Sequence, residues 1–376
     1  MSTHPVFAHG IATAVPEGVV PQEGAREVLK RHFGDDRLLQ RLVHRLYSQS
    51  GIETRYTVVP DFVFSAAGAA GEPVGGGAFY DAHSATYKAP STKVRNDLYT
   101  AAARPLFKAA AERVLEATPG LGARDITHVV TVSCTGFFAP GPDYFLVKDL
   151  CLHPHVQRFH LGFMGCYAAF PALKMARAFC QADPEAVVLV VCAELCTLHM
   201  QLGSDLDRLL AGSVFADGAA AALVSARAPQ GGEAFELSAF ATTLTPVGEA
   251  DMAWSVGDEG FDIVLSSYVP DILEANIASA VAPLLGAMGL SQAEVQHWGV
   301  HPGGRAILDK VEKGLALPAG ALAPSREVLR DYGNMSSATV LFVLQKIAAR
   351  AESGERVCAM AFGPGLTVES GLLTKA

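Results

Sequence analysis

With 376 residues, 50% of them hydrophobic and 18% charged, the chain can bury a large core and build more than one domain-sized layer of structure. A formal net charge of −9 provides no long-range field for nucleic acid or an anionic membrane surface, so any anionic ligand must be held by a few local Arg or Lys residues. The sequence does not open on a basic segment followed by a long apolar stretch, and its strongest apolar run, Ala186 to Cys192, is too short to span a bilayer; a soluble, cytoplasmic protein is expected.

In chain order, Asp61 to Arg95 comes first, rich in Gly, Ala, Ser and Pro and including Gly75-Gly76-Gly77. It reads as an irregular surface excursion, with a lid or dimer contact as the alternative. Apolar residues at three- and four-residue spacing then predict helices over Asn96 to Leu115, Tyr167 to Ala182, Val269 to Met288 and Met335 to Ala351. Between them, β-branched runs predict strands at Ile126 to Ser133, Ala186 to Cys192, Ala219 to Ser225, Glu236 to Thr245, His297 to Val300 and Arg356 to Phe362. This alternation predicts an α/β fold with largely buried sheets. Pro229-Gln230-Gly231-Gly232-Glu233 is the clearest break, dividing the chain into halves 1–230 and 231–376. The halves are loosely alike, each with a strand leading to a reactive residue at a helix start, although no sequence repeat is visible.

Seven cysteines form an odd, scattered set, which argues against a disulfide framework. Cys192 and Cys196 could suggest a metal site, but no second Cys or His pair at zinc-ligand spacing accompanies them, and buried thiols are the simpler reading. Cys166 differs. It closes Leu161-Gly162-Phe163-Met164-Gly165 and opens a helical stretch, where unpaired N–H groups and the helix dipole would lower a thiol pKa. His301, before Pro302-Gly303-Gly304, could hold the thiolate, and Asn334, in Gly333-Asn334-Met335-Ser336-Ser337, could donate N–H bonds to a developing oxyanion. Singly, each has an ordinary explanation as a structural cysteine, a turn histidine or an N-cap asparagine.

The flanking sequences decide between these readings. Gly165-Cys166, Val190-Val191-Cys192-Ala193-Glu194, Phe215-Ala216-Asp217-Gly218-Ala219-Ala220, His301-Pro302-Gly303-Gly304, Gly333-Asn334-Met335-Ser336-Ser337 and Phe362-Gly363-Pro364-Gly365 stand in the order and spacing of the type III polyketide synthases, the chalcone synthase-like family. The resemblance covers nearly the whole chain. Through Cys134-Thr135-Gly136-Phe137-Phe138-Ala139-Pro140-Gly141 and Glu194-Leu195-Cys196-Thr197-Leu198-His199 the sequence is similar to the bacterial branch of alkylresorcinol and alkylpyrone synthases.

The resemblance implies a homodimeric, thiolase-like five-layered αβαβα fold with two related halves. It implies an acyltransferase in which Cys166 carries the starter acyl group while His301 and Asn334 stabilise the enolate from malonyl-CoA. Coenzyme A thioesters are substrates, and neither a cofactor nor a metal is implied. Phe215 matches an aromatic residue between the CoA tunnel and the cavity, and Ile263 stands where the plant enzymes carry Phe. Trp254 stands where they usually carry Gly, Cys196 and His199 replace small hydroxyl residues, and Ser336 completes the cavity set. His199 also reads as a satisfied polar residue in the wall. Arg45, Arg305 and Ala306 are the CoA-contact candidates, with Leu42 and Gln49 where the family pattern is basic. A β-ketoacyl carrier-protein synthase of the initiating type is the nearest rival; a Cys/His/Asn hydrolase and a non-catalytic acyl-binding relative are more distant. Ile263, Phe137, Phe138 and Leu198 favour a medium or long aliphatic starter.

Overall fold

The computed structural model describes residues 4–63, 77–81, 83, 86–231 and 233–376. Most of the Gly-rich part of the Asp61 to Arg95 excursion therefore lies outside the described residues. Among those described, nine strands form the central sheet, in the order His297–Val300, Arg356–Gly363, Thr367–Lys375, Phe235–Leu244, Phe7–Ala14, Asp217–Ser225, Val187–Leu195, His128–Ser133 and Gln157–Gly162.

The strand pairing is duplicated. His128–Ser133 runs parallel to Val187–Leu195, which is antiparallel to Asp217–Ser225, itself antiparallel to Phe7–Ala14. The same parallel, antiparallel, antiparallel series recurs in His297–Val300, Arg356–Gly363, Thr367–Lys375 and Phe235–Leu244. Only Phe7↔Glu236 and Ala8↔Phe235 pair across the seam between the two series.

Alternate residues of each strand point to opposite faces, and both faces are covered, which explains the continuous apolar runs. Val188, Val190 and Cys192 face one core with Val357, Ala359 and Ala361 of the other series. The helices Ala169–Ala182 and Thr339–Ala348 fill that shared middle layer through residues such as Leu173, Ala176, Leu341 and Leu344. Val187, Leu189 and Val191 face outward onto the helix Thr92–Ala117, through Ala103, Phe107 and Val114. On the opposite side Cys358, Met360 and Phe362 face the helix Val269–Ala287, through Leu273, Ile277 and Leu284. Three cores separated by two sheet layers make the five-layered αβαβα thiolase-like fold.

The predicted helix from Met335 begins instead with the 3-10 turn Ser336–Ala338 and becomes α-helical at Thr339–Ala348. That from Tyr167 begins at Ala169, after a turn closed by Ala168 N donating to Gly165 O at 3.1 Å. The sequence reading also misses the strands Phe7–Ala14, Gln157–Gly162 and Thr367–Lys375 and the helices Arg37–Gln49, Leu206–Val214 and Arg305–Gly314.

Candidate active site

Cys166, His301 and Asn334 reach one cavity of about 530 Å³ from three different segments. None stands on the first residue of a regular helix. Cys166 precedes Ala169–Ala182 by a turn, His301 follows the strand His297–Val300, and Asn334 lies between the helix Ala323–Tyr332 and the 3-10 turn Ser336–Ala338. Tight backbone places them. Gly165 has φ +90, and a Cβ there would meet Pro364 Cδ at 2.5 Å, so only glycine lets the Phe362 to Gly365 loop close over the turn that carries Cys166. Gly333 adopts φ 72 and ψ −156, a region essentially restricted to glycine, and a Cβ would lie 2.9 Å from Val214 O.

Asn334 is clamped from both sides of its backbone: its N–H donates to Val214 O at 2.8 Å and its carbonyl accepts from Ala216 N at 2.9 Å. This isolated bridge pairs Asn334 with Phe215 and so joins the later half's carboxamide to the earlier half's aromatic ring. Buried Arg55 anchors the same strip, donating to the carbonyls of Gly212 and Phe215 at 2.8 Å each and to Gln22 Oε1 at 2.9 Å. Asn334 Oδ1 accepts from Ser336 N at 2.9 Å, which fixes the amide orientation and turns its Nδ2 donors the other way, one of them toward Gly303 O at 3.3 Å. Neither ring nitrogen of buried His301 has a hydrogen-bond partner among the described residues. Two N–H-bearing groups with unused capacity thus line a cavity that also holds a thiol, an arrangement suited to binding a carbonyl oxygen.

The electrostatics correct the expectation of a depressed thiol pKa. Burial pushes the Cys166 thiol up to about 11, against the lowering influence of Ser336 and Asn334, and the Glu194 charge adds to the rise. Burial likewise holds the His301 imidazole down to about 3. Desolvation outweighs the helix N-terminus because the helix starts three residues beyond the thiol and no cation among the described residues acts on it. The resting pair is a neutral thiol and a neutral imidazole.

Phe215, Trp254, Ile263, Ser336, Arg45, Arg305 and Ala306 line the same cavity. Cys196 and His199 do not; they line a second cavity of about 250 Å³. Phe215, Trp254 and Ile263 border both spaces and so form the wall between them. Trp254 and Ile263 are cross-strand partners in the hairpin Met252–Gly257 and Gly260–Leu265, and the indole meets the Phe215 ring edge-on at 6.2 Å.

His199 is pinned. Its Nε2 donates to Thr135 O at 2.7 Å, Nδ1 accepts from Phe261 N at 3.1 Å, and the ring stacks on Phe261 at 3.8 Å. This bonding fixes a neutral tautomer, and burial lowers its pKa to about 4, so His199 braces the hairpin. Cys192 and Cys196 are both buried thiols pushed up by burial, and no metal-holding cluster is found among the described residues.

Glu194 was read as part of a motif and not as a site residue. It is the last residue but one of the otherwise apolar strand Val187–Leu195 and accepts from Cys134 N at 2.8 Å, Thr135 Oγ1 at 3.0 Å and Ser337 Oγ. Burial lifts its carboxyl to about 7. A carboxylate at the end of a Val-rich run was the available signal, since a buried acid requires dedicated donors. The cavity mouth was missed too. Leu42, Leu46, Leu206 and Leu210 line it, on helices that the sequence reading did not predict.

A five-layered fold with Cys, His and Asn converging on an apolar cavity defines a condensing enzyme of the thiolase-like class. The chalcone and stilbene synthase family models match residues 4–228 with the N-terminal domain and 236–376 with the C-terminal domain, and the chain belongs to that family, the type III polyketide synthases. Among curated relatives, the alpha-pyrone synthesis polyketide synthase-like Pks18 of Mycobacterium tuberculosis is 32% identical over 369 residues, covering 96% of this chain and 88% of that protein. Bisdemethoxycurcumin synthase of Oryza sativa is 36% identical over 380 residues, covering 96% and 90%. Among solved structures, PKS-I of the brown alga Ectocarpus siliculosus superposes with a TM-score of 0.90 at 31% identity, over 100% of both chains. The 1,3,6,8-tetrahydroxynaphthalene synthase of Streptomyces coelicolor gives 0.83 at 30% identity, over 98% of this chain and 99% of its own. No helix among the described residues is long and apolar enough to cross a membrane.

Proposed function

We propose that this type III polyketide synthase extends a medium- or long-chain aliphatic acyl-CoA with malonyl-CoA and closes the product to an alkylpyrone or alkylresorcinol. The carrying observation is the pair of unpartnered His301 nitrogens beside the oriented Asn334 amide, in the cavity that holds the Cys166 thiol. Cys166 Sγ attacks the starter thioester carbonyl and coenzyme A leaves as its thiol. Because both groups rest neutral, the thiol proton passes to His301 as the attack proceeds and from His301 to the departing coenzyme A sulfur, which returns the imidazole to its neutral form. His301 and Asn334 then donate to the malonyl thioester oxygen. Carbon dioxide departs, its bonding electrons form the enolate, and the enolate carbon displaces Cys166 from the acyl group. The lengthened chain returns to Cys166 for the next cycle.

The aliphatic starter is supported by the lining of Leu42, Leu46, Leu206, Leu210, Leu265 and Val269. The name of Pks18 refers to alpha-pyrone synthesis, which accords with the pyrone outcome. Arg45 and Arg305 at the mouth, with Ala306 beside them, would meet the CoA phosphates, and no resident cofactor is invoked. Homodimer formation, a cytoplasmic location and a division into halves at 230/231 belong to the same reading.

Cys166→Ala tests it. Condensation should disappear while malonyl-CoA decarboxylation persists, and mass spectrometry of products from a panel of acyl-CoA starters should show preferred extension of aliphatic chains. Continued extension by Cys166→Ala, or a better kcat/KM for benzoyl-CoA than for every fatty acyl-CoA, would refute it.

A further inference from the structure

Among the described residues four buried side-chain nitrogens and oxygens have no hydrogen-bond partner: the Tyr87 hydroxyl, both ring nitrogens of His301 and Trp254 Nε1. Three of the four therefore belong to residues that line the Cys166 cavity. The proposed chemistry uses the His301 nitrogens, but it leaves Trp254 Nε1 without a role. An indole nitrogen donates and cannot accept, and a phenyl or aliphatic side chain would fill the same wall without leaving a donor unpaired. Whatever completes Trp254 must bring an acceptor.

The ring is held where it stands. Trp254 pairs with Ile263 across the hairpin, and its indole meets the rings of Phe215 and Phe261 edge-on, each with centroids 6.2 Å apart. Phe261 is in turn stacked on His199, whose two ring nitrogens are both bonded. Turning the N–H toward another acceptor would disturb these packed rings.

We propose that Trp254 Nε1–H donates to the β-keto oxygen of an acyl chain that has been extended once, and so distinguishes a β-ketoacyl thioester from the starter. The inference rests on the polyketide reading and assigns that cavity a specificity-determining donor. In that reading His301 and Asn334 receive the thioester oxygen, and an unextended aliphatic starter carries no other. Condensation supplies the missing acceptor, because the former starter carbonyl becomes a ketone on the β carbon. The pantetheine arm of coenzyme A also carries carbonyl oxygens. It would run to the mouth, however, and none of the contact candidates there, Arg45, Arg305 and Ala306, borders the second cavity as Trp254 does. A bond from the wall to the new ketone would keep the extended chain in place for its next cycle.

The test compares decanoyl-CoA with 3-oxodecanoyl-CoA, each extended by the full-length enzyme with malonyl-CoA. Trp254→Phe keeps a ring in the wall and removes only the donor. The ratio of kcat/KM for 3-oxodecanoyl-CoA to that for decanoyl-CoA should fall by about threefold to tenfold, whatever change the two share. An unchanged ratio would assign the N–H to packing or to the pantetheine arm and overturn the proposal, as would a wild type that extends decanoyl-CoA but not 3-oxodecanoyl-CoA. A second measurement leaves the indole intact. The chain has two tryptophans, and Trp298 is buried in a core away from the cavity, so an indole-15N label gives two N–H resonances, of which Trp254→Phe removes one. In Cys166→Ala, which cannot be acylated, the Trp254 proton should move downfield with 3-oxodecanoyl-CoA and not with decanoyl-CoA. Equal shifts with both ligands, or none with either, would overturn the proposal. A wild type that extended neither thioester would remove the polyketide reading, while the resonance would still decide whether the donor binds a β-ketone.

Discussion

Trp254 is the most informative residue to remove, because its indole borders cavities of about 530 and about 250 Å³ and helps to separate them. Trp254→Gly would join the two spaces, raising the volume in reach of Cys166 by roughly half before the indole's own volume is counted. The cost in stability is moderate. A fully packed Trp loses about 3 to 5 kcal/mol on truncation, but this ring already faces open space on two sides, so about 2 to 3 kcal/mol is expected, including the lost edge contacts with Phe215 and Phe261 and the strand glycine. The assay is mass spectrometry of products from acyl-CoA starters of increasing length with malonyl-CoA, alongside thermal unfolding. Preference should move to longer starters or more extensions, with Cys166 acylation on short starters little changed. A folded Trp254→Gly enzyme with the wild-type length profile and product ratio would refute the assignment of the indole as the dividing wall.

Two further predictions concern protons. Iodoacetamide should label Cys166 slowly at neutral pH, no faster than exposed Cys151, with a rate that climbs as pH rises toward about 11; a labelling rate already at its plateau below pH 7 would instead reveal a preformed thiolate. Stability should vary little with pH in the mildly acidic range because buried groups oppose one another. Glu194 and Asp217, raised to about 7 and about 6, take up protons in the folded chain before the unfolded one, so their contribution grows as pH falls toward the ordinary carboxylate range. His199 and His301, lowered to about 4 and about 3, stay neutral when folded and protonate when unfolded, so their contribution is lost as pH falls below 6.5. Glu194→Gln removes one rising contribution, and its Tm should drop further between about pH 7 and 5 than that of the wild type; equal drops would show that Glu194 does not titrate there.

The meeting of Cys166, His301 and Asn334 in one cavity was legible because their flanking motifs are distinctive, and the strands Val187–Leu195 and Arg356–Gly363 because burial on both faces makes them almost wholly apolar. Phe7–Ala14, with the sequence FAHGIATA, and Thr367–Lys375, TVESGLLTK, carry small or polar residues in central strands. Their pairing on both sides is a tertiary fact with little local signal. The same limit applies to Cys196 and His199. Their neighbourhood in sequence places them near the site, but the Phe215, Trp254 and Ile263 wall that separates them from Cys166 is assembled from remote segments. The thiol pKa was misjudged because a helix start can be read from a pattern, whereas the completeness of desolvation cannot.

The duplicated sheet imposes an order on when this chemistry becomes available. Thr367–Lys375 pairs with Phe235–Leu244 on one side and Arg356–Gly363 on the other, so a strand made late in synthesis becomes an interior member of its half. Cys166 leaves the ribosome long before that strand, but the backbone that aims Asn334 and His301 leans on the half that the strand completes. A nascent chain therefore carries Cys166 without the Asn334 and His301 side chains that share its cavity, and under the proposed mechanism malonyl thioesters are safe from it until almost all of this sequence has been translated and folded.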